Sequence, residues 1–140
     1  MTDGTFEKIR QSDQRMYGVP KLILCGFPAA AQSKLLMVLE MVGLRDLPVV
    51  WAGDKDERST LADLLQLPDQ TGAGSDSALA RAIIVSGITQ NQLHGLMTVC
   101  RQSGMQQALW AALTPTSETW PLANLLAELQ AERKALSKSR

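Results

Sequence analysis

Histidine, cysteine and aromatic residues are scarce in this 140-residue chain, which has one His, two Cys, three Trp, one Tyr and two Phe. The two cysteines, Cys25 and Cys100, are far apart and each lies among apolar residues. Such spacing excludes a compact zinc ligand pair and is typical of reduced, buried thiols. The single histidine, His94, falls in a helical segment without an obvious carboxylate or serine partner. We therefore predict no metal site and no cofactor.

An excess of charge of either sign is also missing, because 14 basic residues balance 14 acidic ones. A formal net charge of zero excludes the recruitment of nucleic acid or of an anionic membrane by bulk electrostatics. The longest apolar run, at residues 35–42, is far too short to span a bilayer. The first residues have neither the basic start nor the apolar core of a signal peptide. We expect a cytoplasmic protein without nucleic-acid or membrane partners.

Four short apolar segments predict the strands of a sheet, at residues 21–25, 47–52, 81–86 and 108–113. The first has consecutive aliphatic residues without polar alternation, which is typical of a strand covered on both faces. Helical patterns follow the four strands, at about residues 28–42, 61–65, 90–103 and 120–136. Thr89 and Gln92 have the spacing of a capping box at the start of the third helix. The sequence thus predicts an α/β fold with helices on both faces of the sheet.

The order of elements restarts after a loop that is rich in Gly, Ser, Asp and Pro. Shifting the chain by 61 positions places Gly26 on Gly87 and needs no gap over roughly 46 residues. The same shift superimposes further identical residues: Leu35 on Leu96, Val38 on Val99, Gly43 on Gly104, Leu61 on Leu122, and Leu64 on Leu125. We expect two βαβα repeats that share one core about a pseudo-twofold axis.

The predicted organisation has four parts. Residues 1–20 form an amino-terminal arm, 21–67 the first βαβα repeat, 68–80 a linker and 81–140 the second repeat, with both repeats in one domain. Each crossover is long enough to make the two strands of a repeat parallel, with a right-handed connection between them. From this we expect a mostly parallel sheet.

The second half, at residues 81–132, resembles a family of uncharacterised bacterial proteins that is known only as a domain of unknown function. The features shared with that family are a strand, a glycine-hydrophobic turn, a helix, a second strand and a Thr-rich loop that leads to a Trp. The residues that carry the resemblance are Val85-Ser86-Gly87-Ile88, Leu96, Gly104, Ala111, Thr114, Thr116, Trp120-Pro121-Leu122, Leu125 and Leu126. The resemblance implies a small α/β module of bacterial origin and implies no activity.

Each repeat places a glycine turn between its first strand and first helix, at Cys25-Gly26 and at Ser86-Gly87. A helix amino terminus after such a turn offers free backbone donors to an anion, and ligands favour the carboxyl ends of parallel strands. Thr89 and Asn91 supply nearby polar groups at the second turn. Neither turn has a dinucleotide or P-loop spacing, so the alternative is that both turns serve packing alone.

Cys25 precedes a helix amino terminus, where the helix dipole stabilises a thiolate and makes it reactive. The alternative is a packed thiol. Ser86 occupies the equivalent position of the second repeat, which indicates that the site requires a small side chain. We favour the packed thiol.

The first helix differs from the third in its outer face. Met37 and Met41 stand where the third helix has Thr98 and Gln102, so the first helix is nearly apolar all round. Methionines four residues apart share a face, and that face must be covered by something. We expect a homodimer contact, or docking of the arm through Phe6 and Ile9.

Together these features predict a non-catalytic binding or assembly module. The alternative is a small enzyme or ligand-binding protein for an anionic metabolite, bound at the helix amino termini after Gly26 and Gly87.

Overall fold

The computed structural model describes residues 14–105 and 107–138 of the chain. The strands are β1 (Lys21–Cys25), β2 (Val49–Ala52), β3 (Ala82–Ser86) and β4 (Leu109–Ala112). The main helices are α1 (Ala29–Met41), α2 (Leu61–Leu65), α3 (Gln90–Gln102) and α4 (Leu122–Lys138). The α/β class and the order of the elements agree with the prediction, and the bounds differ from it by at most two residues.

The four strands form one mixed sheet in the order β2-β1-β3-β4. β1 pairs with β2 and β3 pairs with β4 in parallel, whereas the central strands β1 and β3 are antiparallel. The prediction of a mostly parallel sheet is therefore not confirmed. Crossover length determines the direction of the two strands within a half, but it does not determine how the first strands of the two halves meet.

The antiparallel centre has a consequence for the two glycine turns. Ile23 faces Ile84 at the middle of the β1–β3 ladder, while Lys21 faces Ser86 and Cys25 faces Ala82. Cys25 and Ser86 thus lie at opposite ends of the ladder, about 13 Å apart along the strand direction. The turns that follow them do not form a single site.

Helices cover both faces of the sheet, as expected. One hydrophobic cluster joins Leu22 and Leu24 of β1 to the inner faces of α1 and α3. A second cluster joins Ile23 and Cys25, on the opposite face of the same strand, to α2 and α4. Burying a Leu or Ile side chain contributes about 1.5–3 kcal/mol, so these two clusters supply the main driving force for folding. No helix in the described ranges is long and apolar enough to cross a membrane.

The last residues of the predicted arm lie along the start of α3. The backbone N–H of Met16 donates to the carbonyl of Ile88 at 2.8 Å, and the N–H of Gly87 donates to the carbonyl of Tyr17 at 3.0 Å. Residues 15–17 therefore add a short antiparallel segment next to the second glycine turn. Phe6 and Ile9, which sequence reasoning offered as an anchor, lie outside the described residues.

Candidate functional site

Backbone atoms of another segment pack directly against each of the two glycine turns. Gly26 has a φ of +75°, and a Cβ there would lie 2.5 Å from the carbonyl oxygen of Leu79. Gly87 has a φ of +68°, and its Cβ would lie 2.5 Å from the carbonyl oxygen of Gly18. Only glycine combines a left-handed conformation with such close approach. Each turn is thus closed on one side by the segment that leads into the first strand of the other half.

The amino terminus of α1 already holds an anion from its own chain. Pro28 provides no side-chain cap, and the N–H of Ala29 donates to the Asp76 carboxylate at 2.7 Å. The buried side chain of Gln32 holds the same loop in place. Its Nε2 donates to the Ser75 carbonyl at 3.1 Å, and its Oε1 accepts from the Gly74 N–H at 2.8 Å. A carboxylate is stabilised at a helix amino terminus by the free N–H groups and the dipole. The predicted linker therefore fills the first of the two candidate anion sites.

The amino terminus of α3 is satisfied differently. Thr89 and Gln92 form the predicted capping box, in which Gln92 N–H donates to Thr89 Oγ1 at 3.0 Å and Thr89 N–H donates to Gln92 Oε1 at 2.8 Å. Asn91 is exposed in the first turn of the helix. A cavity of about 330 Å³ lies beside Gly87 and Thr89 and is also lined by Arg15. The second candidate site thus has both a guanidinium and a carboxylate, that of Asp46, in the lining of its cavity.

Cys25 is fully buried between the sheet and its helices. Burial, with a smaller effect from the Asp56 carboxylate, raises the pKa of the Cys25 thiol to about 12. Burial likewise raises the pKa of Cys100 to about 11. A thiol is nucleophilic only as the thiolate, so the geometry favours the packed-thiol interpretation of Cys25.

Ser86, the counterpart of Cys25, is buried and its hydroxyl has no hydrogen-bond partner among the described residues. Gly18 lies directly over it, since a Cβ on Gly18 would come within 2.2 Å of Ser86 Oγ. A buried hydroxyl without a partner is costly. Sequence reasoning identified the need for a small side chain here, but it had no signal for the missing partner.

The outer face of α1 carries exposed methionines that nothing covers within the described residues, and Lys34 and Glu40 are exposed beside them. Met37 is 64% exposed, Met41 is 69% exposed and the neighbouring Leu36 is 38% exposed. On α3, Thr98 and Gln102 occupy the corresponding exposed positions. The contrast between the two helices that the sequence predicts is therefore present on the surface. Exposed apolar side chains that lie together on one face are typical of an interaction surface.

A cavity of about 510 Å³, which sequence reasoning missed, lies near the amino end of β1 and is lined by Tyr17, Val19, Leu65 and Leu113 among others. The Tyr17 hydroxyl donates to Glu118 Oε1 at 2.8 Å, and that bond raises the pKa of the tyrosine. Nearby, Lys21 is buried and donates to the carbonyls of Leu65 and Leu67. These polar groups are paired within the protein, so the cavity offers mainly apolar walls.

The Thr-rich loop after β4 satisfies its own polar groups. The N–H of Thr114 donates to Ser117 Oγ at 3.0 Å, and the N–H of Ser117 donates back to Thr114 Oγ1 at 2.9 Å. His94 is exposed on α3. In residues 14–105 and 107–138, no group of three or more His, Cys, Asp or Glu side chains is arranged to hold a metal ion.

The second half of the chain is similar to one known family. The family model described as "Domain of unknown function (DUF3783)" matches residues 81–136, which begin just before β3 and include most of α4. This match agrees with the resemblance that the sequence shows, and it brings no activity with it. Comparisons with curated proteins and with solved structures found no match. The function must therefore be argued from the surface of this chain itself.

Proposed function

We propose that this protein is a cytoplasmic, non-catalytic assembly module that forms a homodimer through the outer face of α1. The observation that carries the proposal is the exposure of Met37 and Met41, 64% and 69%, on one face of a well-packed helix. Exposed methionines are flexible and polarisable, which suits them to packing against another protein surface.

A second copy is the occupant that we favour for this face. The stripe consists of the two methionines, and the exposed Lys34 and Glu40 of α1 flank it on the same helix. Two such stripes complement each other, because methionine packs on methionine and the flanking Lys34 and Glu40 have opposite charges. The stripe is short, so the contact lies at the small end of the size range of specific interfaces, below about 1,200 Å² in total. Dimerisation should therefore depend on concentration.

The proposal treats the two halves as structural repeats about a pseudo-twofold axis. Support comes from the equal lengths of α1 and α3, 13 residues each, and from the pairing of Ile23 with Ile84 at the centre of the sheet. These two residues are equivalent in the internal alignment. On this proposal, the two methionines that α1 exposes where α3 has Thr98 and Gln102 reflect a specialised use of α1.

The test replaces Met37 and Met41 with the residues of the other half, as Met37→Thr with Met41→Gln. Sedimentation equilibrium over a range of concentrations should show a dimer for the unchanged protein and a monomer for the double variant. The matched control, Met37→Leu with Met41→Leu, keeps the face apolar and should keep the dimer. A monomer at all concentrations for the unchanged protein, or an unchanged dimer for the double variant, would contradict the proposal.

The cavity beside the α3 amino terminus supports a second candidate function, the binding of a small anionic ligand. Arg15 lines that cavity together with Gly87 and Thr89, while the Asp46 carboxylate, which also lines it, opposes an anion. Inorganic phosphate and citrate serve as probes in a thermal-unfolding assay, compared between the unchanged protein and Arg15→Gln. A rise in melting temperature that Arg15→Gln abolishes would favour ligand binding. No rise with either probe would leave the assembly module as the better account.

A further inference from the structure

The two outer strands of the sheet differ in what lies along their free edges. Along β2, the N–H of Trp51 donates to the carbonyl of Thr71 at 2.8 Å, and the carbonyl of Val49 accepts from the N–H of Gln70 at 2.8 Å. The N–H of Val49 donates to the carboxylate of Asp69, also at 2.8 Å. The loop at residues 69–71 therefore closes the edge of β2.

In the part of the chain that the structure describes, no loop covers the edge of β4 in this way. The N–H groups of Leu109 and Leu113 donate to the carbonyls of Arg81 and Val85 at 2.9 Å. In a parallel ladder Trp110 and Ala112 therefore direct their backbone N–H and C=O groups away from the sheet. These two residues align with Val49 and Trp51 of the first half. Within residues 14–105 and 107–138, none of their backbone groups has a hydrogen-bond partner. An open row of this kind is a template for another strand.

A groove runs beside this open edge, between β4 and α3. It has a volume of about 200 Å³ and is lined by Met97, Arg101, Met105, Ala108 and Trp110. Trp110 is only partly buried and faces the α1 and α3 side of the sheet. An added strand would point every second side chain into this groove, because side chains alternate between the two faces.

The charge in the groove is positive. Arg101 is exposed near the end of α3, and neither α3 nor β4 contains an acidic residue. No carboxylate pairs with Arg101 in the part of the chain that the structure describes. The guanidinium of arginine is a strong and geometrically specific partner for a carboxylate.

We propose that the β4 edge binds an extended segment of another protein as a fifth strand, with an acidic side chain at Arg101 and apolar side chains in the groove. Backbone hydrogen bonds to Trp110 and Ala112 supply the affinity, and the groove supplies the selectivity. A second copy of this chain fits less well. Two copies paired through β4 would bring two Arg101 grooves together without a carboxylate from either α3 or β4.

The first experiment measures amide hydrogen exchange at single residues by NMR in the full chain. Trp110 and Ala112 should exchange rapidly, whereas Ala111 and Trp51 should be protected, with a difference of at least about 100-fold. Protection of Trp110 and Ala112 that rises with protein concentration would assign the edge to a second copy. Protection that does not depend on concentration would assign it to another segment of the same chain. Either result would overturn the proposal.

The second experiment titrates a blocked seven-residue peptide, Thr-Val-Thr-Glu-Thr-Val-Thr, which places both valines and the glutamate on one face of a strand. Binding should protect the amides of Trp110 and Ala112. A peptide with Lys in place of Glu should bind about tenfold more weakly, and Arg101→Glu should invert this preference. If the edge amides exchange rapidly and neither peptide binds, the edge is no docking site and the proposal fails.

A pair of variants separates the edge from the groove. Ala112→Pro removes an outward donor and leaves the β3 ladder intact, because proline is tolerated on the outer side of an edge strand. It should lower the affinity for the peptide about tenfold or more, whereas Ala112→Ser, which retains the N–H, should not. Equal affinities for the two variants would contradict strand addition. The Met37 and Met41 substitutions on α1 should change nothing here, so this test is independent of the proposed dimer.

Discussion

The first and second halves of the chain share their elements but differ in what their surfaces leave open. α1 and α3 have the same length, and β1 and β3 meet at equivalent residues. The first half closes its sheet edge and leaves two methionines exposed on α1. Among the described residues, the second half has a polar helix face and an open sheet edge. Contacts with other molecules are therefore to be sought where the halves differ.

One loop accounts for much of this difference. Between α2 and β3, Asp69 and Thr71 bond to β2, while Asp76 caps α1. The second half ends in α4 and has no equivalent loop in the described residues. The predicted linker, residues 68–80, is therefore hydrogen-bonded to the first half and stabilises it. Substitutions at matched positions of the two halves test how similar the halves are in packing.

The largest effect is expected at the two glycine turns. Gly26→Ala and Gly87→Ala should each lower the free energy of unfolding by more than about 3 kcal/mol, because the new Cβ meets backbone in a left-handed conformation. The backbone atoms lie 2.5 Å from the Cβ position at both turns. Urea unfolding followed by circular dichroism measures the change. Similar losses at both sites would show that the turns are equivalent in packing.

The helix-ending glycines supply the control for this comparison. Gly43 and Gly104 also have positive φ, but a Cβ at either position meets nothing closer than 3.9 Å. Gly43→Ala and Gly104→Ala should cost only about 1 kcal/mol, the penalty of the conformation alone. If the turn variants lose no more free energy of unfolding than these two, the backbone packed against the turns does not restrict the residue there.

Much of the local structure could be predicted from the sequence. Runs of aliphatic residues located the strands, and the Thr89 and Gln92 spacing predicted the capping box. The direction of β3 relative to β1 could not be predicted, because the long loop between them permits either orientation. The orientation of β3 decides whether the turns at Gly26 and Gly87 lie at the same end of the sheet. They lie at opposite ends.

The surface was predicted only in part. The exposure of Met37 and Met41 together on α1 could be predicted, since helical periodicity fixes which residues share a face. The Asp76 cap and the open β4 edge depend on where a loop folds back, and local patterns carry no information on this. The occupant of the α1 face stays a prediction.

The second prediction concerns pH and distinguishes Cys25 from its counterpart Ser86. The pKa of Cys25 is raised from 9.0 to about 12, so the folded state keeps a proton that the unfolded chain releases above pH 9. The free energy of unfolding should fall by up to about 1.4 kcal/mol per pH unit between pH 9 and 12, and this effect should vanish below pH 9. Urea titrations of Cys25→Ala should show a shallower decline.

Cys100 provides the internal control for that experiment. Its pKa is raised to about 11, so it contributes a decline of the same sign that Cys25→Ala leaves in place. Parallel stability curves for the unchanged protein and Cys25→Ala above pH 9 would mean that the Cys25 thiol is accessible in the folded state. Reactivity of Cys25 towards a thiol reagent at neutral pH would lead to the same conclusion.

The third prediction concerns the unpartnered hydroxyl of Ser86. Ser86→Ala should raise the free energy of unfolding by about 1 kcal/mol, because it removes a buried polar atom that has no hydrogen bond. Cys25→Ser, the reciprocal change, should lower stability by a similar amount if its new hydroxyl also lacks a partner. Thermal unfolding measures both. A loss of stability in Ser86→Ala would indicate that the hydroxyl makes a bond in solution, for example to a bound water molecule.

The smallest effect is expected at the two helix starts, where the halves achieve the same end by different means. Asp76→Ala should cost about 0.5–1 kcal/mol, since α1 loses a carboxylate that accepts from Ala29 N–H. Thr89→Ala should cost a similar amount at α3. Asp76→Ala also vacates an anion site, so added phosphate should restore part of its stability and should not do so for Asp76→Asn, which keeps the acceptor oxygen. If phosphate stabilises the unchanged protein as much as Asp76→Ala, the anion binds elsewhere, and the α3 start beside Arg15 becomes the position to test.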